Sequence, residues 1–182
     1  KLSEYLGNNL AHTSTKRRLQ YSIRRSIRYI DKSLKYLNQN NSYRASRYCL
    51  SSLVNSYGSR RNINRYSRFI NKDIQTYSKN ELEAITKLLG NGWLRLYKNS
   101  GKTISSSRAN RYKTVVKRIL NLTERKIKDN VHNENKNLGS VYNLANKKYQ
   151  KANDYFNQGK FPESYLNSLF SRFLSLEAYK LL

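Results

Sequence analysis

Apolar residues recur along this chain every three or four positions, and strand-like alternation is nearly absent, so the pattern predicts helices almost throughout. The clearest run is Leu19, Ile23, Ile27, Ile30, Leu34 and Leu37, spaced 4, 4, 3, 4 and 3 apart. At the helical repeat these form one stripe about 80° wide. They predict a helix from about Thr15 to Gln39, with Ser14 or Thr15 as N-cap. After the polar stretch Asn38–Asn41, a second helix is expected over about Ser42 to Tyr57, ended by Gly58. A third, carrying Ile63, Tyr66, Ile70 and Ile74, is expected over about Arg61 to Tyr77. Ser78 and Glu81 have capping-box spacing and open a short helix that stops at Gly90. Asn91 to Ser107 is less regular and reads as a short helix plus a loop. A long helix follows from about Ser106 to Val131, with Tyr112, Val116, Ile119, Leu120 and Ile127 inward. Two further helices, about Ser140–Gln158 and Pro162–Leu182, flank a turn at Gly159. Pro162 suits a first helical turn.

The expectation is an all-α, compact bundle of about six helices with helical hairpins near both ends. Its 182 residues favour one domain. Within it, residues 1–14 are expected to be a flexible arm, 15–135 a basic binding portion and 140–182 a C-terminal hairpin. Tyr36-Leu37-Asn38-Gln39 and Tyr155-Phe156-Asn157-Gln158 echo each other, each ending the first helix of a hairpin. The closing hairpin resembles the helix-turn-helix pairs of tetratricopeptide-like arrays but lacks their signature residues, so no function is carried across.

Composition changes this picture through charge. Thirty-six Lys and Arg face 11 Asp and Glu, a net charge of +25 with a pI near 10.3. Such an excess repels itself in the compact state and attracts anions. Residues 1–70 carry +13, residues 71–135 carry +8 and residues 136–182 only +4. A polyanionic partner is therefore expected along the first two-thirds, leaving the C-terminal hairpin for core, self-assembly or a protein partner.

The cations also cluster by angle. With Leu19 at 0°, the apolar stripe of the first helix centres near about 40°. Arg17, Arg24, Arg28 and Lys35 then fall at about 140–180°, Tyr21 near about 200°, and Arg18 and Arg25 at about 240–260°. Arg61, Arg65, Arg68 and Lys72 form the corresponding face of the expected third helix. Arg111, Lys117, Arg118, Arg125 and Lys128 form that of the long helix. A merely solvated helix face intersperses acids, because like charges at i,i+4 oppose the helix. Here the first helix holds one acid, Asp31, and the third only Asp73. Arginine's planar fork matches phosphate, and a neighbouring Tyr can stack on a base or donate to a phosphate. Tyr21 lies inside the cationic face, Tyr66 and Tyr112 point to the apolar side, and Tyr29 and Tyr36 lie on the boundary.

Catalytic chemistry has little footing. His12 and His132 are isolated from other metal-ligating residues, and Glu81 and Glu83 suit a helix start. Gly101-Lys102-Thr103 resembles the end of a phosphate-binding loop, but Leu96 stands where that motif needs Gly. Cys49 is the single cysteine, so no internal disulfide forms. No apolar run reaches the length of a membrane span, and residues 1–15 lack the apolar stretch of a signal peptide. A helix-turn-helix over Ser42–Tyr77, with Arg61–Lys72 as reading helix, stays open. No metal or cofactor is expected, and no integral membrane association. The expected function is a non-enzymatic protein that coats, packages or scaffolds DNA or RNA with little sequence specificity. It would serve as a virion nucleoprotein, architectural protein or ribonucleoprotein subunit on duplex DNA or structured RNA, within the cell or a virion. The alternative is an adaptor whose basic face binds an acidic protein or an anionic membrane surface.

Overall fold

The computed structural model describes Glu4, Asn8, residues 13–65, Ile70, residues 72–129 and residues 136–182. Among these the helices are α1 (Thr13–Asn38), α2 (Ser42–Arg65), α3 (Lys72–Asn99), α4 (Ser106–Asp129), α5 (Lys136–Asn157) and α6 (Phe161–Tyr179). There is no strand among the described residues, and the fold is all-α with six helices, as the periodicity predicts. The chain groups into two compact units, Lys1–Lys102 and Thr103–Leu182. In the first, α2 packs between α1 and α3; in the second, α6 packs against both α5 and α4.

Two glycines expected to end helices lie inside them. α2 runs through Gly58 to Arg65, because burial continues past it at Ser59 and Ile63. Burying Ile63 is worth about 1.5–3 kcal/mol. That outweighs the roughly 1 kcal/mol that a mid-helix Gly costs. Gly90 and Gly92 likewise sit within α3, Gly92 opposite Cys49 of α2. A Cβ at position 92 would stand 3.8 Å from Cys49 Sγ, and the Cys49 thiol donates to the Leu89 carbonyl at 3.3 Å. The separate helices expected over 61–77 and 78–90 and the irregular stretch after them are thus redistributed. α2 takes residues up to Arg65, and α3 continues unbroken from Lys72 to Asn99. Ser78 is consequently a buried mid-helix residue and not an N-cap, and Trp93 and Tyr97 pack one helical turn apart with ring centroids at 5.2 Å. α1 begins at Thr13, so Ser14 and Thr15 fall within its first turn.

The echo between the hairpins is a shared turn. Asn40 adopts φ 54°, with its N–H on the Leu37 carbonyl and the Asn41 N–H on the Tyr36 carbonyl, both 2.9 Å. Gly159 adopts φ 71°, with its N–H on the Phe156 carbonyl at 3.0 Å and the Lys160 N–H on the Tyr155 carbonyl at 2.8 Å. Both are Schellman caps with a left-handed residue after the helix. Asn41 then caps α2, its Oδ1 accepting from the Arg44 N–H at 3.0 Å.

Small residues line both hairpins. In the first, Ser26, Ser33, Ala45, Cys49, Ser52, Ser56 and Ser59 are buried; in the second, Ala145, Ala152, Ser164, Ser168, Ser171 and Ser175. Ser33 donates to the Ala45 carbonyl at 2.9 Å, and Ser164 to the Ala152 carbonyl at 2.7 Å, positions that correspond when counted from the two turns. This seam turns α1. Its buried arc holds Leu19, Ile23, Ser26 and Ser33, while Ile27, Leu34 and Leu37 are 45%, 52% and 41% exposed. The helix is rotated by roughly 50° from the position its apolar stripe predicts.

Candidate nucleic-acid interface

Packing α1 through its serine row leaves the opposite side, and the flank toward α2, without apolar cover. Arg17, Arg18, Tyr21, Arg24, Arg25, Arg28 and Lys35 are all exposed there. Two depressions form along this surface. One, of about 520 Å³, is lined from α1 by Arg17, Gln20, Tyr21, Arg24, Arg25, Arg28, Tyr29 and Lys32. The other, of about 660 Å³, lies between the helices, with Arg17, Arg18, Tyr21, Ser22 and Arg25 facing Val54, Asn55, Gly58, Arg61 and Asn62. No acidic side chain lines either one. They share Arg17, Tyr21 and Arg25, which form the ridge between them.

Arg25 is held above its ordinary pKa by a hydrogen bond from its guanidinium to Tyr29, with Tyr21 adding to the effect. Its guanidinium carbon sits 6.0 Å from the Tyr29 ring centroid. Tyr29 and Tyr36, left on the boundary by the sequence, belong to a stack that joins α1 to α2. Tyr48 of α2 stacks at 6.1 Å on Tyr29 and at 5.3 Å on Tyr36, with Lys32 over Tyr48 and Arg44 over Tyr36, each at 5.5 Å. These rings spend their faces on one another and on cations. Tyr21, by contrast, is 65% exposed.

The second expected face divides. Arg61, near the end of α2, joins the α1 surface through the inter-helix depression, whereas Lys72 is an exposed residue opening α3. Arg65 closes α2 and its side chain lies outside the described residues, as does Arg68 entirely. Residues 61–72 are therefore not one helix, and they do not supply a continuous reading helix. Glu81 and Glu83 are likewise mid-helix residues of α3, and Glu83 pairs with Arg60 at 3.6 Å.

On α4, Arg111, Lys117, Arg118, Arg125 and Lys128 are all exposed. Arg111, Arg118 and Arg125 repeat every seven residues, a row with steps of about 10.5 Å. Lys128 is partly neutralised by Glu124 at 2.9 Å, a contact that raises the lysine's pKa and lowers the carboxylate's. Other cations of this unit lie over rings. Lys113 is 3.9 Å from the Phe156 centroid, with burial lowering its pKa, and Lys126 is 4.5 Å from that of Tyr179. Arg172 donates to the Tyr112 hydroxyl at 3.1 Å and lies 5.9 Å over its ring. Burial raises the pKa of Tyr112, which packs on Tyr165 as the sequence placed it, toward the interior.

Sequence reasoning missed Lys32, Gln20, Asn55 and Asn62 as lining residues. Lys32 was within reach, since at about 220° it falls in the cationic arc of α1. The α2 residues were not, because only the packed hairpin brings them alongside. Among the described residues no group of three His, Cys, Asp or Glu is placed to hold a metal ion, and His12 and His132 lie outside them. No helix among the described residues is long and apolar enough to cross a membrane. Comparison with protein-family models, curated proteins and solved structures finds no match.

Proposed function

We propose that this chain is a non-enzymatic nucleic-acid-binding protein that coats, packages or scaffolds DNA or RNA with little sequence preference. The observation that carries this reading is the pair of acid-free, arginine-lined depressions on the α1–α2 hairpin. Arg24–Arg28 and Arg28–Lys32 are like charges at i,i+4, and Arg25–Arg28 and Lys32–Lys35 at i,i+3. Each such pair costs a helix about 0.2–0.5 kcal/mol, and Asp31, beside Arg28 and Lys35, offsets only part of it, so α1 carries a net penalty of up to about 1 kcal/mol. A row of phosphates offsets that penalty and releases its own condensed counterions, which is the main source of affinity in sequence-independent binding. Arginine and lysine aimed at phosphates position a protein on its ligand without reading base edges.

The test is a titration of the full chain with labelled duplex DNA, RNA, anionic phosphatidylserine vesicles and polyglutamate at several salt concentrations. Neutralising about five to seven phosphates predicts a log–log salt slope of roughly −4 to −6 for nucleic acid. Vesicles or polyglutamate binding as tightly as nucleic acid, without that slope on DNA or RNA, would overturn the reading in favour of an adaptor for acidic surfaces.

A further inference from the structure

Resting on the reading of α1 as a nucleic-acid face, we infer that this face takes unpaired nucleotides, with Tyr21 as a base-stacking platform between two phosphate-binding depressions. Tyr21 is 65% exposed, more than Tyr43, Tyr77 or Tyr179. Among the described residues its ring stacks on no other, whereas Tyr29, Tyr36 and Tyr48 use their faces to join α1 to α2. An aromatic ring left out of every ring contact, in a chain with so little apolar surface to bury, keeps its π-face available to a ligand.

Its place on the helix gives that face a context. Arg17 and Arg25 lie one turn before and one turn after Tyr21 on the same row, about 6 Å away along the axis in each direction. All three belong to both depressions. A cation–ring–cation order along one helix matches the phosphate–base–phosphate order of a single strand. One base rests on the ring while its flanking phosphates reach the guanidiniums on either side. A duplex offers no such match, because its bases stack on one another and present only their edges, never a face. The length of α1 by itself suits the regular lattice of a duplex; the exposed ring at the centre of the cationic surface favours unpaired strands.

Stacking of a base on an aromatic side chain strengthens binding by roughly five- to 150-fold and tolerates any base, consistent with weak sequence preference. The experiment measures binding of the full chain to a labelled single strand, to an abasic strand of equal length and to the corresponding duplex. The native protein is expected to hold the single strand at least fivefold more tightly than the abasic strand. Tyr21→Leu should abolish that difference, its loss falling mainly on the base-bearing strand, while Tyr21→Phe keeps it. Thermal unfolding of both variants confirms the fold. Equal binding of base-bearing and abasic strands by the native protein, tighter binding of duplex than of single strand, or an equal loss on both strands in Tyr21→Leu would overturn the stacking role. In each of those cases nucleic-acid binding itself survives. Absence of binding to every oligonucleotide would overturn the underlying reading as well.

Discussion

Ser26 is the residue on which the α1–α2 seam turns, and its removal makes a sharp test of how the hairpin is held. Its hydroxyl lies 3.0 Å from the Ser52 carbonyl and 2.8 Å from both the Ser52 and Ser56 hydroxyls, while Ser52 donates to the Ser26 carbonyl at 2.9 Å. One consistent arrangement has Ser26 donating to the Ser52 carbonyl and Ser56 donating to Ser26. Ser26→Ala then removes one buried hydrogen bond, worth about 0.5–1.5 kcal/mol, and orphans the buried Ser56 hydroxyl, worth about 1–3 kcal/mol. The expected total is about 1.5–4.5 kcal/mol. Ser56→Ala alone leaves Ser26 bonded to Ser52 and should cost about 0.5–1.5 kcal/mol. The double variant removes both the donor and the orphan, so it should be no less stable than Ser26→Ala alone. Urea unfolding followed by circular dichroism measures this, with an unchanged slope on denaturant as the check on two-state behaviour. Costs that simply add in the double variant would refute the shared buried bond, since independent sites add and coupled ones do not.

Glycines at two kinds of position should respond with opposite sign. Gly159→Ala is expected to destabilise by about 1–2 kcal/mol, the cost of a left-handed conformation with a Cβ, because its φ is 71° and nothing obstructs the added atom. Gly58→Ala, inside α2 with equally open space, should stabilise by about 0.5–1 kcal/mol. Denaturant midpoints that move together in both variants would contradict the assignment of Gly58 to a helix interior. Burial pushes the Cys49 thiol up to about 11 from an ordinary 9.0. The stability this contributes is fully present below pH about 9 and lost as pH rises toward about 11, because the unfolded thiol ionises first. Iodoacetamide at pH 8 should label native protein far more slowly than urea-unfolded protein, and equal rates would show the thiol to be accessible.

Helical periodicity was enough to place α1, the long α4 and both hairpin turns, because those segments are bounded by Asn40, Gly101 and Gly159, each with positive φ. It failed at glycines that lie inside helices. Gly58 and Gly90 look like terminators in sequence, yet α2 and α3 run through them, with burial continuing beyond at Ile63 and Trp93. The apolar stripe of α1 misled for a related reason. Ser26 and Ser33 count as polar in any pattern, yet in a close helix pair their hydroxyls bond across the seam and they take the buried positions from Ile27 and Leu34. The cationic arc at Arg17, Arg24 and Arg28 was readable because charge cannot be buried cheaply. Its partners on α2, Asn55, Arg61 and Asn62, depend on a rotation that periodicity does not encode.

The salt dependence of nucleic-acid binding in the Arg17→Ala, Arg24→Ala, Arg28→Ala triple variant, set against the native protein, tests the cationic face most directly. All three side chains are exposed on α1, and replacing them relieves like-charge repulsion while introducing the best helix former, so stability should hold or rise. Each lost phosphate contact lowers the log–log slope by about 0.7–0.9, so the triple variant should bind more weakly with a slope shallower by about 2–3. A native-like slope and affinity in a folded triple variant would contradict the assignment of this face to nucleic acid.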